Sequence, residues 1–243
     1  AIVKNRTYRM NRVRTILPVV SFLLFSSCAS EYKIQGNSSV SRLDGKMLFV
    51  KIPQGEEMMN VDSAEVIHGL FQMQGEIDTT MIASLYMDDQ SIMPLVMEKG
   101  NIDIRIENAR IHVSGTPLNE KLYEFVGKKN AIEDRAYEVE RLESRLIMDG
   151  KSIDEVEEEI SKEREKLSKE MDELVKAFIQ ENYENVLGPG VFIMLCNGFP
   201  YPILTPVMEE IVDDAPDSFK SHHLIKEYIE VARLNMEKLN VER

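Results

Sequence analysis

The stretch Ile102-Asp103-Ile104-Arg105-Ile106, followed by Val113-Ser114-Gly115-Thr116-Pro117-Leu118-Asn119, decides the fold. Its first part alternates apolar with charged residues at a period of two, the pattern of a strand with one buried face and one wet face. In its second part that period ends. Thr116 stands as an N-cap, and Pro117 occupies the first helical position, where no amide hydrogen is needed. Leu118, Leu122, Phe125, Ile132, Val139, Leu142 and Leu146 then recur at steps of three, four or seven, the stripe of a long amphipathic helix.

Upstream, short apolar runs continue the strand pattern: Met47 to Ile52 (ended by Pro53-Gln54-Gly55), Ser63 to Ile67, Leu70 to Ile77, Met81 to Met87, Ile92 to Met97 and Arg110 to Ser114. Turn residues separate them, as at His68-Gly69, Asp88-Asp89 and Lys99-Gly100-Asn101. Some eight strands at this spacing predict an antiparallel β-sandwich or barrel over residues 28–116. Pro94 lies inside one run, so that strand is expected at an edge or with a bulge. Downstream, residues 117–243 read as helical, which makes the fold class α+β. The first stripe stops at Asp149-Gly150, and Ser152 with Glu155 forms a capping box that opens a second helix. Its stripe is Ile153, Val156, Ile160, Leu167, Met171, Leu174 and Phe178. The two helices, each about 45 Å long at 1.5 Å per residue, predict a long antiparallel hairpin. Leu187-Gly188-Pro189-Gly190 breaks the second helix, Val191 to Cys196 is apolar all round and expected to be buried, and Thr205-Pro206 caps another short helix. A final helix is expected from about His222 to Leu239.

Residues 1–27 carry Lys4, Arg6, Arg9, Arg12 and Arg14 with no acid, then an apolar run from Ile16 to Phe25 and the small residues Ser26-Ser27. The run is too short to span a bilayer, and the order is that of a secretory signal peptide. Leu23-Leu24-Phe25-Ser26-Ser27-Cys28 resembles the lipobox of bacterial lipoproteins. That resemblance implies that Cys28 is the lipidation site and the new N-terminus. The body would then be anchored through its lipid to a membrane outside the cytoplasm, with the outer membrane of a Gram-negative bacterium as the expected location. The whole chain of 243 residues has a formal net charge of −13, and without the five basic residues of 1–27 it falls to −18. Such a body repels phosphate backbones, so nucleic acid is not an expected partner.

Motifs that carry chemistry are missing from the sequence. There is no Cys-x-x-Cys, no His-Glu-x-x-His, no Gly-x-Ser-x-Gly and no phosphate-cradling loop. Catalytic, metal and cofactor sites are therefore assigned to no residue, and no cofactor is expected. His222 and His223 are adjacent and point about 100° apart on a helix, which prevents chelation from one face. Cys196 in its apolar run reads as an inert buried thiol. The acidic run Glu157-Glu158-Glu159 reads as a solvated helix face.

The strand region also resembles a domain of unknown function that occurs in lipoproteins of gut-type Gram-negative bacteria. There it precedes a thioredoxin-fold domain of the AhpC/TSA or TlpA-like type. The matching residues are Val61 to Ala64, Gly69 to Gly75, Pro94 to Ile102 and Val113 to Asn119. The helical segment looks like the connector that such proteins carry before their thioredoxin domain. The resemblance implies the non-catalytic portion of that family, because its Cys-x-x-Cys has no counterpart in this sequence. Two functions follow as expectations. One is a membrane-tethered, non-enzymatic module that binds or positions a protein partner, such as a thioredoxin-like protein. The other is a truncated or accessory part of a thiol-disulfide oxidoreductase. A carbohydrate-binding or hydrolytic lipoprotein is a third, resting on fold analogy alone.

Overall fold

The computed structural model describes residues 31–54 and 57–241. Eight strands come first: β1 (Glu31–Ser38), β2 (Met47–Gln54), β3 (Glu57–Glu65), β4 (Leu70–Glu76), β5 (Met81–Met87), β6 (Gln90–Met97), β7 (Gly100–Ile106) and β8 (Ile111–Ser114). They form two open four-stranded sheets, ordered β4-β1-β7-β8 and β3-β2-β5-β6. The architecture is α+β with a sandwich, and no barrel closes. One pairing departs from the antiparallel expectation: β1 runs parallel to β7, with Ile34 beside Ile102 and Gly36 beside Ile104. Alternation fixes which face of a strand is buried but says nothing of which distant strand lies alongside, or in which direction. β3 begins at Glu57, earlier than the run from Ser63 suggests, because it pairs with β2 as far as Gln54.

Alternation does place the core. Tyr32 and Ile34 of β1, Phe71 and Met73 of β4, and Ile102, Ile104 and Ile106 of β7 face Leu48 and Val50 of β2, Leu85 of β5 and Leu95 of β6, all buried. Gly36 leaves room for the Phe71 ring opposite it, which a Cβ there would strike. Pro94 meets both of its expectations: β6 is an edge strand, and the β5–β6 register shifts at Leu85/Tyr86, so Ile92 is the extra residue.

Six helices follow: α1 (Pro117–Met148), α2 (Ile153–Glu181), α3 (Leu187–Cys196), α4 (Pro206–Asp214), the single turn α5 (Asp217–Lys220) and α6 (His223–Val241). The capping box of α2 is formed, with Glu155 N–H donating to Ser152 Oγ at 3.4 Å and Ser152 N–H donating to the Glu155 carboxylate at 3.2 Å. The second long helix ends before the glycines, at buried Asn182, whose Nδ2 donates to the Phe178 carbonyl at 2.7 Å. Gly188-Pro189-Gly190 instead forms the first turn of α3. Gly188 packs on the Asn182 carbonyl and Gly190 on Ile82 of β5, so close that neither accepts a side chain without movement.

One apolar cluster runs from the strands into the helices, joining Leu95 and Val113 to Leu122, Phe125, Phe178, Ile179 and Phe192. A second, smaller one lies between the outer halves of α1 and α2: Ile132, Val139, Leu146, Val156, Ile160 and Leu167. The path of α1 follows from its contacts. Glu31, where β1 begins, lies opposite Glu76, and the neighbouring Tyr32 lies beside Gly100. Gly100 in turn approaches Thr116, from which α1 departs. The helix then runs back along β6, with Asn119 at Val96 and Tyr123 at Pro94. Its outer half therefore extends beyond the end of the sandwich opposite Glu31.

Candidate functional site

The joint between sandwich and hairpin is built from buried polar groups. Glu98, Thr116 and Asn119 are all buried. Thr116 occupies the N-cap position, but its side chain does not cap. Glu98 does so from the end of β6, its carboxylate accepting the N–H groups of Leu118 and Asn119 at 2.9 and 3.0 Å. A carboxylate suits a helix N-terminus, where unpaired N–H groups and the macrodipole are both positive. Asn119 bridges to the free edge of β6: its Oδ1 accepts from Val96 N–H at 2.8 Å, and its Nδ2 donates to the Val96 carbonyl at 2.7 Å and to Thr116 Oγ1 at 2.9 Å. Tyr123 Oη donates to the Pro94 carbonyl at 2.9 Å. Burial raises the Tyr123 pKa, so this hydroxyl keeps its proton. With these partners in place, the joint fastens α1 to β6. Neither Glu98 nor Asn119 stood out in the sequence, since each acts on residues about twenty positions away.

The hairpin displays its charges outward. Arg135 pairs with Glu170 at 2.7 Å and Arg164 with Glu143 at 2.6 Å across the two helices. Its tip differs from the stripe expected there. Ile153 is 75% exposed, and across the turn Ile147 at 54% and Met148 at 85% are exposed as well. As the first residue of α2, Ile153 lies beyond the last rung of the small core.

Cys28, the expected lipidation site, lies outside the described residues, as does the expected signal peptide 1–27. Cys196 is buried, and that burial pushes its thiol up to about 12, far from a reactive thiolate. His68 sits in a tight turn with φ 51°, and His112 meets the edge of the Tyr123 ring at 6.4 Å. His222 and His223 stack at 4.8 Å beside a cleft of about 410 Å³ between Ile82 of β5, the start of α3 and α6. Burial, and then His223, lowers the His222 pKa, and its Nδ1 is buried without a partner. Among the described residues no three His, Cys, Asp or Glu side chains gather into a metal site, and no helix is long and apolar enough to cross a membrane.

Residues 32–122 match the model of a family described as a domain of unknown function, DUF4369. The match spans the strands from Tyr32 onward and ends at Leu122, in the second turn of α1. No curated protein matches the chain.

Proposed function

We propose that the domain of unknown function and its helical hairpin form a non-catalytic lipoprotein module, tethered through Cys28 to a membrane outside the cytoplasm, that positions a protein partner. The observation that carries this reading is the polarity of the molecule. Glu31, which opens β1 shortly after Cys28, and the tip of the hairpin lie toward opposite ends of the sandwich. A lipid on Cys28 would hold one end at the membrane and direct the hairpin away from it, with Ile147, Met148 and Ile153 outermost. Two acyl chains suffice for stable anchoring. A thioredoxin-like protein is the partner that the family resemblance suggests.

Fractionation of the cells that make the protein tests the tether. The mature chain is expected in membranes, beginning at Cys28 and carrying the mass of a diacylglycerol, and Cys28→Ala is expected to move it to the soluble fraction. A membrane-isolated protein that keeps residues 1–27 and carries no acyl mass overturns the reading. An insulin-reduction assay separates it from the oxidoreductase alternative. The buried, high-pKa thiol of Cys196 argues for no turnover, and turnover abolished by Cys196→Ser would establish the alternative instead.

A further inference from the structure

At the end of the sandwich opposite Glu31, the two sheets part into a cleft of about 680 Å³. Its walls are the β5–β6 turn region, the β7–β8 turn, the short turn Ser41–Leu43 after β1, and α1 at Val126 and Asn130. The size is that of a small-molecule site. Two arginines reach it from different sheet connections, Arg42 from the turn after β1 and Arg110 from the β7–β8 turn. Among the described residues neither makes an ion pair, and Glu107 is the one carboxylate in the lining. This local positive excess lies in a chain whose net charge is −13. Ser91, Asn108 and Asn130 add neutral hydrogen-bonding groups to the rim. Among the polar lining, Val40, Ile92, Ile111 and Val126 are half-buried and leave apolar surface open to the cleft, over the buried Leu43, Met93 and Ile106.

We infer that this cleft binds a small amphiphilic anion, its carboxylate or phosphate held by Arg42 and Arg110 and its apolar portion lying against Ile92, Ile111 and Val126. A guanidinium presents a planar fork of donors that matches both oxyanions, and such charge-assisted bonds are about twice as strong as neutral ones. The apolar wall removes the ligand's hydrocarbon from water and selects against a bare inorganic ion. The site belongs to the sandwich and does not depend on the tether or on the hairpin tip.

Titration calorimetry and amide NMR on the full chain test this with four probes: octanoate, octyl phosphate, n-octanol and inorganic phosphate, the first three below their aggregation limits. Saturable binding is expected for at least one octyl anion, with shifts confined to residues around Ser91, Asn108 and Asn130. The tighter of the two anions identifies the oxyanion class. Octanol and inorganic phosphate are each expected to bind at least about tenfold more weakly, and Arg42→Gln or Arg110→Gln to weaken the octyl anion by about tenfold or more. Both arginines lie on exposed turns, so these variants are expected to keep the wild-type melting temperature. Arg105→Gln, on an exposed position of β7 outside the lining, is expected to bind like wild type. No saturable binding of either anion overturns the inference. So does octanol or inorganic phosphate binding as tightly as the octyl anions, or an Arg42→Gln/Arg110→Gln double variant that binds normally.

Discussion

In the half of the hairpin nearest the sandwich, Phe125 stacks on Phe178 at 4.3 Å, and both belong to the same apolar cluster as the strands. The far half has the same helical spacing but a separate core of six buried aliphatic residues, flanked by exposed ion pairs and ending in an exposed apolar tip. The near half is thus anchored by distant parts of the chain, and the far half mainly by its own two helices. Exposed ion pairs add little to stability, so the far half rests chiefly on that small core. The two halves should accordingly open in separate steps.

The largest effect expected is from the shared core. Leu122→Ala should cost about 2–5 kcal/mol of global stability, read by denaturant unfolding, because it leaves a cavity where strands and helices meet. Ile160→Ala removes a fully buried side chain of similar size from the far core. It should speed hydrogen exchange across residues 132–167 while leaving β1 and β7 protected. Equal loss of protection in β1 would merge the two halves into one cooperative unit. Asn119→Ala comes next. It leaves the Val96 N–H and C=O without their side-chain partners in a buried joint, at a cost of about 3 kcal/mol. Glu98→Gln keeps the shape but loses the charge at the helix terminus, and is expected to cost about 1 kcal/mol in the same measurement. A null result for both would show that α1 is held by its apolar contacts alone.

The smallest effect is at His222, beside the cleft between β5 and the starts of α3 and α6. Its pKa in the folded protein lies below the ordinary 6.5, so the unfolded chain takes up a proton first as pH falls. The stabilisation is complete above 6.5, is lost as pH drops through the window below it, and levels off once folded His222 is also protonated. Melting temperatures from about pH 8 to about pH 5 should fall less steeply in His222→Gln than in wild type. Identical slopes would show that the orphaned Nδ1 is solvated when the protein breathes.

Much of the fold was legible in local patterns. Met81 to Met87 is a strand with the bounds that its apolar run suggests, and Thr205 caps α4 as its Thr-Pro pair indicates, accepting from Met208 N–H at 3.4 Å. Thr116 shows where such reading stops. Its position is that of an N-cap, yet the capping group is Glu98, which is invisible until β6 and α1 are side by side. The candidate cleft was less legible still. Nothing about Arg42 or Arg110 marks either one, because they stand 68 positions apart and come to line one cleft only where two sheet connections converge.

By itself, the sequence determined the features that repeat within a few residues: period-two strands, the helical stripes, the caps at Ser152 and Thr205, and an acidic body. Each depends on side chains whose spacing alone sets the face they share. The parallel pairing of β1 with β7, the Glu98 cap, the exposed Ile153 and the arginine cleft were decided only by tertiary structure. Each depends on which distant segment lies alongside, or on there being none. That is settled by burial and hydrogen bonding over the whole molecule, to which local spacing is blind.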